Sequence, residues 1–256
     1  MTDAPLVQLK NIGKEFANGV VALEDLNLTI HAGEFLSLLG PSGCGKSTAL
    51  RLIADLSTPT QGQIEWHQGH DARQTLGFVF QDSTLMPWTS VYNNVWLPLR
   101  LAGVSKSQAD YRIHEVLDLV GLRAFESAYP GELSGGMKMR ASIARALIQR
   151  PQLLLMDEPF AALDEITRLK LNNDLLQLKA ELAMTIVFVT HSVYESVYLS
   201  NRIAVFASRP GRIVRQIEID APYPRDLSFR HSELYAKSCQ DASEALQSAM
   251  SEQDHL

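Results

Sequence analysis

One segment leaves this chain few options: Gly40-Pro-Ser-Gly-Cys-Gly-Lys46-Ser47. It fits the pattern G-x-x-x-x-G-K-[ST], follows the apolar run 35–39 and opens a helical pattern at 46–56. That is the strand, loop and helix setting in which such a loop cradles phosphate. Gly40, Gly43 and Gly45 let the backbone turn its N–H groups inward, and the helix start adds partial positive charge. Lys46 supplies a point charge for β- and γ-phosphates, and Ser47 offers a hydroxyl to Mg²⁺. Pro41, Ser42, Cys44 and Thr48 complete the candidate cradle. Cys44 sits at a variable position of the pattern, and its thiol is expected to be shielded once nucleotide binds.

Three further apolar runs, 76–80, 153–156 and 185–189, each stop at polar residues: Gln81, Asp157, and Thr190 with His191. They read as buried parallel strands. Between them lie helical patterns at 105–120, from Ser134, near Asp164 and after Ser192. Strands interleaved with helices predict a parallel sheet whose ligand sits at the strand carboxyl ends, where those polar residues fall. Residues 6–12 and 20–30 alternate as short strands and predict an antiparallel start. Leu234, Tyr235, Cys239, Ala242 and Leu246 predict a packed helix near the C-terminus.

The 256 residues, 46% of them hydrophobic, suit one large domain. A net charge of −6 lacks the basic footprint of phosphate-backbone binding, so nucleic acid is not an expected partner. Two cysteines make no disulfide framework, and residues 1–30 carry none of the features of a secretory signal, so a reducing cytoplasm is expected. No apolar run approaches the roughly 18 residues of a membrane span.

The run 153–156 ends in Asp157-Glu158-Pro159. Adjacent strand residues face opposite sides, so the two acids have different jobs. Asp157 is assigned to Mg²⁺, directly or through water, and Glu158 to the attacking water as general base or orienter. The Gln81 amide can coordinate Mg²⁺ or the water, and a neutral His191 can donate to the γ-phosphate. Alone, each reads as well as an ordinary structural residue; arrival at one sheet edge favours the functional reading. At Leu133-Ser134-Gly135-Gly136-Met137 a serine cap precedes two glycines, with Lys138, Arg140 and Arg145 further along the helix. Glycines at a first turn expose N–H groups and predict a second anion site, although an ordinary capped helix is the alternative. One fold can hardly bring both turns onto a single phosphate chain, whereas two facing copies can.

The loop at 40–47, Gln81, Leu133 to Met137, Asp157-Glu158, Ala162-Leu163-Asp164 and His191, in that order, resemble the nucleotide-binding subunit of an ABC transporter over residues 6–220. The resemblance implies an α/β P-loop NTPase of the ABC ATPase type, with a mixed central sheet, an antiparallel β-subdomain and an α-helical subdomain at about 82–150. Residues 221–256 would form a C-terminal helical extension. It also implies ATP and Mg²⁺, and a head-to-tail dimer holding two ATP molecules between the Lys46 loop of one copy and Ser134, Gly135, Gly136 and Met137 of the other. Phe16 matches the aromatic that stacks on adenine, unless it is a strand-end core residue, and Asp164 matches the residue that communicates across the seam. Met137 and Met139 replace more usual polar residues, which leaves the backbone donors untouched.

Met86, Pro87 and Trp88 match the place where the family receives a short helix of a membrane permease, while Trp96 fits core as well as contact. With 159–164 and 208–213 these residues resemble the nitrate, sulfonate and taurine branch of importers, which also includes pyrimidine-precursor systems. A periplasmic or lipoprotein solute-binding protein would select the cargo, and the subunit would sit peripherally on the cytoplasmic face of the inner membrane. A soluble ABC ATPase of DNA repair or the ribosome, or a P-loop kinase, is the competing expectation.

Overall fold

The computed structural model describes residues 4–67, 76–223 and 225–251, so residues 224 and 252–256 of the expected extension lie outside it. Its central sheet runs β5 (Leu76–Val79), β6 (Leu153–Asp157), β7 (Thr185–Thr190), β3 (Phe35–Leu39), β8 (Arg202–Phe206), β9 (Ile213–Glu218). All neighbours are parallel except β9, which pairs antiparallel with β8. A second, antiparallel sheet orders β2 (Val21–His31), β1 (Pro5–Glu15), β4 (Gln61–Trp66).

β3, β6 and β7 are short apolar runs buried along their whole length, because both faces of the sheet are covered. Alternate residues feed two cores. Phe35, Leu39, Leu154, Met156, Ile186 and Phe188 enter a core shared with most of the helices. Leu36, Leu38, Leu153, Leu155, Val187 and Val189 enter a second core with the antiparallel sheet and α1 (Lys46–Ile53). Between β5 and β6 the chain folds α2 (Val91–Leu101), α3 (Lys106–Leu119) and α4 (Gly135–Leu147). α5 (Glu165–Leu182) and α6 (Val193–Leu199) flank β7, and α7 (Leu227–Arg230) and α8 (Glu233–Ser251) come after β9. Ser90, Ser134, Asp164 and Ser192 cap α2, α4, α5 and α6 with side-chain oxygens.

The C-terminal helix forms, with a shifted stripe. Tyr235, Cys239 and Ala242 are buried as expected and are joined by Ala245 and Ala249, while Leu246 is half-buried and Leu234 is exposed. The buried Arg225 guanidinium donates to the carbonyls of Val197, Tyr198 and Ser200, and the Tyr235 hydroxyl donates to Tyr194 O. This terminal segment therefore grips α6, the helix that begins just after His191. Among the described residues no helix is long and apolar enough to cross a membrane.

Strand register sets the functional edge. Leu39 pairs with Thr190, Asp157 with Val189 and Val79 with Met156. Gly40, Glu158, His191 and Gln81 thus leave the sheet at one end.

Candidate active site

The loop at 40–47 is fixed by close backbone approaches. Gly45 has φ 101°, and a Cβ there would stand 2.6 Å from Ala22 O. Lys46 is buried; its Nζ donates to Gly40 O at 2.7 Å and Pro41 O at 2.8 Å, and lies 3.9 Å from Glu158 Oε1. Gly45 is the N-cap of α1 and offers no side-chain acceptor, which leaves the first-turn N–H groups for a ligand. Cys44 corrects the expectation for its thiol. The side chain is buried in the second core, so packing shields it without nucleotide, and that burial pushes the thiol pKa up. Only its backbone can serve a phosphate.

Strand parity decides where Asp157 points. It shares a face with Leu153 and Leu155, the face on which α1 packs, and its Oδ1 accepts from Ser47 Oγ at 2.6 Å. Burial raises the Asp157 pKa, against the lowering effect of the Ser47 hydroxyl. Among the described residues no group of three or more His, Cys, Asp or Glu side chains could hold a metal. A hydroxyl beside a buried carboxylate still suits Mg²⁺, which needs only one or two protein oxygens beside waters and phosphate.

Glu158 takes φ 46°, a left-handed conformation uncommon outside glycine, just where the strand ends. Its Oε2 lies 3.3 Å from His191 Nδ1. Gln81 is exposed two residues beyond β5. Two residues that the sequence alone did not single out support this pair of motifs. Thr190 Oγ1 donates to Glu195 Oε2 at 2.7 Å, while Arg168 donates to Leu163 O at 3.0 Å and its Nε lies 3.6 Å from Glu195 Oε1. Residues adjoining His191 and Asp164 are thereby joined. Burial pushes the Glu195 carboxyl up.

Phe16 is 43% exposed, so it is not a core residue. With Val20, Gly43, Lys46, Ser47, Thr48 and Glu158 it lines a cavity of about 180 Å³. The cavity is open to solvent on one side, so a ligand seated in it would remain partly exposed on this chain alone. None of residues 133–137 lines that cavity.

At the glycine turn 134–136 the burial is uneven. Ser134 and Gly135 are exposed, but Gly136 is buried, and a Cβ there would stand 2.6 Å from Thr167 Cγ2. Close packing on α5 is thus one reason for glycine at 136. Nor do the two arginines of α4 gather at the turn. Arg140 bonds Val120 O and pairs with Asp174, and Arg145 donates to Ser83 O at 3.0 Å and Thr84 O at 2.8 Å. Met139 is core, which accounts for an apolar residue there. Asp164 is exposed and accepts from Thr167 N at 3.0 Å; the Thr167 hydrogen bond holds its carboxyl below the usual range.

Trp88 is 76% exposed. The loop that presents it is organised by Asn94, fully buried, whose amide donates to the carbonyls of Met86, Thr89 and Ser90 and accepts from Met86 N. Trp96 is partly buried and donates to Val104 O at 3.2 Å, which settles it as helical-block packing.

A phosphate-binding loop followed by a helix without a side-chain cap, with an acid pair and a histidine at the same sheet edge, defines a P-loop nucleoside triphosphatase. The sequence profile of the ABC transporter family matches residues 23–161. An uncharacterized ABC transporter ATP-binding protein of Methanocaldococcus jannaschii is 46% identical over 225 residues, spanning 86% of this chain and 84% of that relative. An aliphatic sulfonates import ATP-binding protein of Pseudomonas syringae pv. tomato is 45% identical over 215 residues, spanning 83% and 87%. One from Bacillus licheniformis is 44% identical over 207 residues, spanning 79% of each. Among solved structures, a dimeric ATP-binding cassette in a post-hydrolysis state with ADP and Pi superposes with a TM-score of 0.73 at 34% identity, covering 85% of this chain and 100% of that one. A component of an ABC transporter complex from Clostridium perfringens gives 0.75 at 25% identity, covering 84% and 89%. The chain belongs to the ABC transporter family and is the ATP-binding, ATP-hydrolysing subunit of an importer.

Proposed function

We propose that this subunit energises uptake of aliphatic sulfonates or closely similar small anions, working as a head-to-tail pair beneath a membrane permease. The cargo is inferred from the names of relatives near 45% identity; nitrate, taurine and pyrimidine precursors are the neighbouring alternatives. In this reading adenine stacks on Phe16, and the backbone of residues 40–48 with Lys46 binds the phosphates. Ser47, Asp157 and Gln81 would hold Mg²⁺, which neutralises charge developing on the phosphate oxygens when bound. Glu158 orients and deprotonates the attacking water, and His191 steadies Glu158 and the γ-phosphate. Ser134, Gly135, Gly136 and Met137 close over the triphosphate of the opposite copy, next to Asp164. Residues 82–150 act as the moving helical block, Trp88 and its loop meet the permease at the cytoplasmic face, and an external solute-binding protein delivers cargo.

One observation carries most of this: the Phe16–Lys46 cavity holds the phosphate-loop residues and opens to solvent, while the Ser134–Gly135 turn of the same chain is exposed and does not line it. The test is sulfonate uptake by cells carrying this subunit with its cognate permease, beside ATPase activity of the purified complex. Uptake that depends on Glu158 and tracks sulfonates over nitrate and pyrimidines is expected. ATP hydrolysis coupled to a different solute would overturn the cargo assignment and leave the ATPase standing.

A further inference from the structure

The strand β8 delivers the chain to the underside of the phosphate loop, and the turn after it is pinned on two sides. Gly211 N donates to Ala22 O at 3.0 Å, Glu24 N donates to Gly211 O at 3.1 Å, and a Cβ at Gly211 would stand 2.1 Å from Cys44 O. The turn 207–212 is closed by Ala207 N donating to Arg212 O at 2.9 Å. At its tip, Arg209 Nε donates to Gly43 O at 3.1 Å. Arg209 lines the same cavity as Phe16, Lys46, Ser47 and Thr48, and its side chain is exposed. Among the described residues no carboxylate pairs with it, and its two terminal nitrogens have no hydrogen-bond partner.

A guanidinium held by its Nε on a backbone carbonyl keeps its terminal fork free in a fixed direction, the arrangement suited to two oxygens of one phosphate. Lys46 is the other cation lining this cavity, and Glu158 opposes it. Backbone N–H groups and Mg²⁺ meet part of a polyphosphate's charge, and a free guanidinium beside them would add to it. We propose that Arg209 is a second phosphate-binding cation of the nucleotide site, reaching the phosphate chain from the Gly43 side. The inference rests on nucleotide occupying the Phe16–Lys46 cavity.

A purely mechanical alternative exists in which Arg209 only straps Gly43 O. Glutamine separates the two, since its amide can still donate to that carbonyl without charge. Binding of Mg-ATP and Mg-ADP to the full chain is measured by calorimetry at low and high salt for R209A, R209Q, R209K and, as a control, K46A. Loss of one charge-assisted contact predicts about tenfold weaker ATP and ADP binding in R209A and R209Q, a smaller gap at high salt, and partial recovery in R209K. Wild-type affinity in R209Q, or in R209A, overturns the inference. If K46A also binds ATP at wild-type strength, the cavity is not the nucleotide site and the underlying reading fails with it. If K46A is weakened and the Arg209 variants are not, only the inference fails.

Discussion

The molecule contains two glycine turns at the start of helices, and they are built in opposite ways. Around Lys46 the helix has no side-chain cap, the cation is buried, and an acid pair and a histidine stand at the same sheet edge. Around Ser134 the first turn is capped by its own serine, the nearby arginines are bonded inward, and only Ser134 and Gly135 face solvent. The first turn holds reactive groups but lacks a wall. The second is a wall with no chemistry of its own. Each supplies what the other lacks, which is the physical case for a catalytic unit shared between two copies.

The sharpest way to break the first half is Glu158→Gln, which keeps the size and removes the base. Turnover falls by about 10² to 10⁴ while ATP affinity holds, measured by single-turnover hydrolysis beside nucleotide titration. Normal turnover would remove Glu158 from the reaction. The second half breaks with Ser134→Arg, whose bulk occupies the exposed turn. In a Glu158→Gln background it abolishes ATP-driven dimerisation in analytical ultracentrifugation and leaves nucleotide binding by the monomer intact. A dimer that persists would refute the shared site.

A smaller effect sharpens the contrast. Gly136→Ala drives a methyl against Thr167 Cγ2, an overpacking cost of about 1–3 kcal/mol in chemical denaturation. Adding Thr167→Ser removes that methyl and restores much of the loss. Without rescue, glycine at 136 answers to something other than packing.

The smallest effect concerns the link between the His191 and Asp164 segments. Burial raises the Glu195 pKa above its ordinary 4.5, so the folded protein binds a proton more tightly than the unfolded chain. Stability from this group is complete below about 4.5 and is lost as pH rises through the raised folded value. Glu195→Gln therefore flattens that part of the melting-temperature profile. A profile unchanged by the substitution would remove Glu195 from the titration.

The contiguous motifs were legible because the chemistry demands fixed neighbours. The loop at 40–48, Asp157-Glu158 and the turn at 134–137 announce themselves in a single stretch, and β3, β6 and β7 show as apolar runs closed by a polar residue. Asn94, Arg168 and Glu195 were not legible, since each acts on partners distant in sequence or on backbone carbonyls that leave no trace in residue type, and Arg209 lay within the stretch 208–213 without any sign of its contact at Gly43. β4 and β9 hid for another reason: at sheet edges they are largely polar, without a clean alternation. β8 carried the same apolar signal as its neighbours, in Ile203 to Phe206, and was open to the same reading. Pro98 inside α2 masked a helix that Ser90 caps.

The stretch from Gln81 to Trp88 is irregular in outline but has little slack. Arg145 grips the carbonyls of Ser83 and Thr84 from α4, and Asn94 ties down Met86 and Thr89 from α2. Those bonds hold Ser83, Thr84, Met86 and Thr89, while Gln81 and Asp82 stand exposed at the start of the stretch. In the proposed reading, a shift begun at Gln81 would reach the tryptophan as a tilt of the helical block, much as a crank passes on rotation without stretching.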